Sequence, residues 1–152
     1  MKGLILKLVT WVIAVFMIIG MGSVATEAFE YRGEFCWQAT EDGDPDSFIL
    51  KLGVFHMGGN HYYLSGYEYW LAAPDKIGMV NGHALAINGI IKMTFINPGN
   101  DDVYGEAWFG GSSADLNPVT LSGTWRGVDA WVEYGVSGVS TQGGTLTFIT
   151  CP

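Results

Sequence analysis

Gly82-His83-Ala84-Leu85-Ala86-Ile87-Asn88-Gly89-Ile90-Ile91-Lys92-Met93-Thr94-Phe95 decides the architecture. Asn-Gly is the two-residue signature of a type I′ turn, in which both central residues take positive φ. Placing the turn there pairs Ile87 with Ile90 and Ala86 with Ile91 in an antiparallel hairpin. Gly82, Ala84 and Ala86 then oppose Phe95, Met93 and Ile91 on one face. Small residues facing large ones across a ladder are how a narrow barrel interior is filled.

The rest of the chain repeats that grammar. Short alternating runs recur between turn clusters, and no segment carries a sustained 3.6-residue stripe, so strands are expected throughout. They fall near 30–38, 47–56, 61–70, 82–87, 90–96, 102–109, 119–126, 129–136 and 144–151. Phe48, Leu50, Leu52 and Val54 share one face of the second run, with Lys51 and Gly53 on the other. Punctuation places loops at 41–46, 56–60, 72–75, 97–101, 110–113 and 138–144. The expected fold is all-β: a single antiparallel up-and-down meander barrel of about eight strands.

The N-terminus has a different character. Lys2 and Lys7 precede an uncharged run from Leu8 to Met21, and Ser23-Val24-Ala25 supplies small residues at −3 and −1 of a cleavage site. This is the pattern of a secretory signal peptide, so residues 1–25 are expected to be removed and 26–152 to form one barrel domain, secreted or periplasmic. An uncleaved anchor is the alternative, although the apolar run from Leu8 to Met21 is fourteen residues, short of the roughly 20 that span a bilayer. Contact with membrane is expected only through this segment before cleavage.

All 15 acidic residues follow Ala25, whereas only five of the seven basic ones do, so the expected mature domain carries a net charge of −10. Neutralising phosphate needs lysine and arginine, which sets nucleic acid aside as a partner. The two cysteines, Cys36 and Cys151, stand near the two ends of that domain. In an exported chain an even count reads as a disulfide, and one pair allows one connectivity.

Apolar-x-Gly-x-aromatic runs, Leu64-Ser65-Gly66-Tyr67 and Leu121-Ser122-Gly123-Thr124-Trp125, occur in a single exported domain with cysteines near its ends. In these respects the chain resembles the small secreted calycin-type barrels, the avidin and lipocalin kind. The resemblance implies a barrel with a ligand cavity and maps no site residue. Phe35-Cys36-Trp37 stands where a typical lipocalin opens with Gly-x-Trp.

Three glutamates share side-chain phase with a tryptophan two residues away: Glu68 with Trp70, Glu106 with Trp108 and Glu133 with Trp131. Side chains at i and i+2 point to one face of a strand, so burying the indoles brings the carboxylates inside with them. Such a group could hydrogen-bond a polar ligand, stack a sugar, or work as an acid/base pair; the alternative is a solvated face with half-exposed indoles. The expected ligand-binding residues are Tyr62, Trp70, Tyr104, Glu106, Trp108, Trp125, Trp131 and Glu133, for a small molecule or glycan. A homo-oligomer or a cell-envelope partner is the competing role. The acidic turn 41–46 and Asn100-Asp101-Asp102 do not follow the EF-hand order, and His56 and His61 have no third ligand in view while His83 stands alone, so no metal site is expected. With no nucleophile elbow and no phosphate-cradling loop, neither a catalytic residue nor a cofactor is assigned.

Overall fold

A computed structural model describes residues 29–42, 47–101 and 106–152. The expected signal segment and Tyr104 lie outside the described residues. Eight antiparallel strands follow one another as β1 (Glu30–Glu41), β2 (Ser47–Gly58), β3 (His61–Trp70), β4 (Ile77–Ile87), β5 (Ile90–Asp101), β6 (Glu106–Leu116), β7 (Gly123–Glu133) and β8 (Val136–Ile149). Each pairs with its neighbours in sequence, and β8 returns to β1, closing the barrel.

The hairpin that opened the reading is present. Asn88 and Gly89 have φ of 51° and 73°. Gly82 faces Phe95, Ala84 faces Met93 and Ala86 faces Ile91. A Cβ on Gly82 would fall 2.7 Å from the Phe95 Cβ, so the glycine makes room for the ring. The lumen around this hairpin is packed solid by Leu50, Leu52, Leu64, Val80, Met93, Leu116 and Leu146, each at most 2% exposed. Trp37 closes this end, its Nε1–H donating to the Leu121 carbonyl at 2.7 Å, with Phe35 and Phe148 packed on its ring.

Three expected loops are strand. Residues 110–113 sit inside β6, 138–144 inside β8, and 97–101 end β5. The glycines there serve close packing: Gly99 lies under the ring of Trp108, Gly138 under that of Trp131, and Gly110 under Asn97 and Asp129. Pro98 is accommodated because the β4–β5 pairing is interrupted between Asn81↔Ile96 and Gly78↔Gly99, and no ladder donor is needed at that point. The strand expected at 119–126 starts late, since the Asn117 side chain accepts from the backbone N–H groups of Val119 and Thr120 and holds a turn. The run expected at 129–136 is the end of β7 and the turn Tyr134-Gly135, not a ninth strand.

Cys36 and Cys151 form the disulfide, with Cα atoms 5.1 Å apart and a sequence separation of 115. It fits an oxidising compartment. The β1–β8 seam pairs only from Cys36 to Glu41, less than any other ladder, and the bridge sits at the end where that pairing stops. Replacing both cysteines by serine is expected to lower the unfolding free energy by about 5 kcal/mol, the loop-closure entropy for a loop of this length. Urea unfolding of the two proteins checks this; equal midpoints would show that the seam holds without the bridge.

Candidate functional site

The other end of the barrel is not packed solid. Above a floor of Phe48, Phe95 and Trp125 the lumen holds a cavity of about 90 Å³, room for about three waters. Its wall carries Glu68, Trp70, Asn97, Glu106, Trp108, Ser112, Asp129, Trp131, Ser140 and Gln142, with Lys76 at the mouth. Every one of the strand residues lies in inward phase with packed neighbours below it. Asn97 follows Met93 and Phe95 on β5, and Asp129 lies between Trp125 and Trp131 on β7.

Glu68 is the centre of the polar network. It is 4% exposed, and its Oε1 accepts from Asn97 Nδ2 at 3.1 Å and from Trp108 Nε1 at 3.4 Å. Burial pushes its carboxyl up to about 7; the two hydrogen bonds favour the charged form and pull the other way, while the Asp129 charge adds to the rise. Burial also raises Asp129. Three buried polar atoms have no partner among the described residues: Trp70 Nε1, Asn97 Oδ1 and Asp129 Oδ1. The two oxygens converge over Gly110, where a Cβ would collide with both.

At the mouth, Lys76 Nζ lies 2.6 Å from Glu106 Oε2. The same ammonium sits 5.4 Å from the ring centroid of Trp70 and 5.1 Å from that of Trp108, inside the range of cation–π attraction. The lysine comes from the 71–76 connection, whose turn is fixed by the Lys76 N–H donating to Ala73 O at 2.9 Å.

Of the expected ligand residues, Trp70, Glu106, Trp108, Trp125 and Trp131 meet in this cavity. Trp125 serves as its floor and belongs to the core. Tyr62 does not join them: it packs at the opposite end of the barrel, its ring 5.2 Å from His56. Glu133 is exposed where β7 ends and does not line the cavity, so no Glu106/Glu133 acid/base pair forms. The partners of Glu68 are instead Asn97, Trp108 and Asp129, two of which stand on strands the sequence reading had broken into loops or shifted.

His56 and His61 do not face one another, since His56 pairs with Tyr62 and His61 with Gly58. Among the described residues no group of three or more His, Cys, Asp or Glu side chains is placed to hold a metal ion. The lining is a surface for hydrogen bonding and for stacking a cation or a ring.

No family model, curated protein or solved structure matches the chain.

The folded protein keeps a proton on Glu68 that the unfolded chain, with a carboxyl near 4.5, releases. Stability from this group is therefore fully present below about pH 4.5 and is lost as pH rises through about 7, to a total of about 3 kcal/mol. Glu68→Gln keeps an acceptor for Asn97 and Trp108 and cannot ionise. Relative to the unaltered protein it should gain on the order of 2 kcal/mol near pH 8.5 and close to nothing near pH 4.5, read from urea unfolding at both values. A gain confined to acid would mean that Glu68 is ionised and paired in the fold.

Proposed function

We propose that the protein is an exported binding module that takes a small polar ligand into the open end of its barrel. The observation that carries this reading is the set of buried polar atoms without partners. Leaving a buried donor or acceptor unpaired costs roughly 1–3 kcal/mol, and Trp70 Nε1, Asn97 Oδ1 and Asp129 Oδ1 belong to three residues that line one small space. A ligand that presents one acceptor and two donors would satisfy them together. The polar wall and the small volume favour such a ligand over a larger apolar one. The disulfide and the leader-like N-terminus support export.

Native mass spectrometry of the disulfide-intact protein is expected to show a small bound mass that is lost on denaturation. Trp108→Ala removes one wall and a donor to Glu68, while the packed half of the barrel lies elsewhere. It should weaken retention of that mass by at least roughly tenfold, the order expected for a truncated aromatic contact. Unchanged retention would remove Trp108 from the site.

One observation favours a second reading, that of a self-associating subunit. Outside the cavity, Met79, Ile96, Phe109, Val128, Val132 and Val139 are exposed and lie on neighbouring strands, Phe109 between Pro98 and Ala130, and Ala130 beside Val139. The charged outward side chains Lys92, Asp115 and Arg126 fall towards the other end. A lipid-facing band must circle a barrel, and this wall is interrupted at β1 and β2 by Gln38, Thr40, Ser47 and Lys51. In a chain of net charge −8, the uncharged wall is where two copies approach with least repulsion. Sedimentation of the unaltered protein should show a concentration-dependent dimer, and Phe109→Lys a monomer with the same unfolding midpoint. A monomer at every concentration would leave the wall without this role.

A further inference from the structure

We infer that the ligand of this cavity is a small organic cation carrying a primary ammonium, and that the Lys76 ammonium is a tethered occupant of its subsite. The inference rests on the binding-module reading and names the ligand class for the same cavity.

Lysine side chains on loops ordinarily extend into water. Lys76 instead turns back across the mouth, and its Nζ meets Glu106 and the faces of Trp70 and Trp108 at once. Two indoles and a carboxylate around one ammonium are the means by which proteins recognise such groups. Below it the wall contributes two further carboxyls, Glu68 and Asp129, and, among the described residues, no arginine or histidine. An anionic ligand would meet three acidic groups with one lysine to answer them.

The orphaned oxygens extend the argument inward. Asn97 is 7% exposed, its amide nitrogen is committed to Glu68, and its Oδ1 faces Asp129 Oδ1 above Gly110. Two converging acceptors are matched by a group with several N–H donors, and an ammonium has three. Burial raises both cavity carboxyls, as it does for acids lacking a compensating positive charge. A cation entering past Lys76 supplies that charge. A neutral sugar would stack on the indoles without supplying it.

A tethered occupant reduces the apparent affinity for a free one by the fraction of time it holds the subsite, and a short tether makes its local concentration high, of millimolar order. Lys76→Met keeps the length and apolar stem and removes the ammonium; Lys76→Arg keeps the cation. Calorimetric titration of the disulfide-intact protein and both variants with methylammonium, putrescine and methyl glucoside separates the outcomes. Lys76→Met is expected to bind the two amines at least roughly tenfold more tightly than the unaltered protein, with Lys76→Arg close to the unaltered protein and the glucoside binding none of them. Equal amine affinity with and without the lysine, or glucoside binding more tightly than the amines, overturns the inference. The glucoside outcome leaves a polar-ligand cavity standing. Loss of every bound mass and every heat, in protein whose folding is verified by circular dichroism, brings down the cavity reading with it. Should Lys76→Met not fold, Lys76→Gln makes the same comparison.

Discussion

Closing eight strands fixes a lumen only wide enough for side chains to fill, and most of what distinguishes this chain follows from how that width is shared. At four inward positions a large residue meets a glycine or alanine on the next strand: Gly82 to Phe95, Ala84 to Met93, Gly99 under Trp108, Gly138 under Trp131. In one half of the barrel the pairs are aliphatic and the lumen is solid. In the other the large members are tryptophans and the small ones are glycines, but the remaining inward positions are Glu68, Asn97, Ser112, Asp129, Ser140 and Gln142. Their side chains do not fill the width, and the cavity is what is left.

The same constraint separates what was legible in the sequence from what was not. The Asn88-Gly89 hairpin could be read because its turn chemistry, its period-2 alternation and its small-to-large pairing agree. Strand β3 was legible to its ends for a similar reason, with Gly58-Gly59 before it and the 71–76 connection after it. The second half of the chain misled because glycine carries two meanings, turn and close approach. Gly110-Gly111 and Gly143-Gly144 look like loops to any reading that weighs residues locally. They are strand because Asn97 and Asp129 meet over one pair and the β1 backbone crosses at Gly144. That reason lies on other strands and has no local signal.

Misplacing those strands also hid half of the site. Trp70, Trp108 and Trp131 were legible because an inward tryptophan announces itself, and Glu68 and Glu106 follow from the i, i+2 phase that they share with them. Asp129 has that phase too, two residues before Trp131, but breaking β7 at residue 129 put it at a strand start. Asn97 fell in a supposed loop. Glu133 shares Trp131's phase as well, yet it forms the last pair of β7 with β8, opposite Val136 and beyond the cavity lining, so phase alone could not bring it inside. Lys76 carries no periodic signal, since it stands in a connection and reaches the mouth through its own length.

A cavity of this composition is held open against its own energetics. Glu68 is buried where its ionised form is unfavourable, and Trp70, Asn97 and Asp129 keep polar atoms unpaired, each a cost that an apolar lumen would avoid. The opposing contributions are placed away from the cavity: a solid aliphatic half, the Trp37 cap, and a disulfide at the weak end of the shortest ladder. That division lets the polar end stay rigid without being satisfied, because the strands that carry it are pinned below. Under the binding-module proposal, an unsatisfied but rigid wall would lose little entropy on taking a ligand. At the mouth, the Lys76 ammonium gives Glu106 and the two indole faces a partner that water alone would not match.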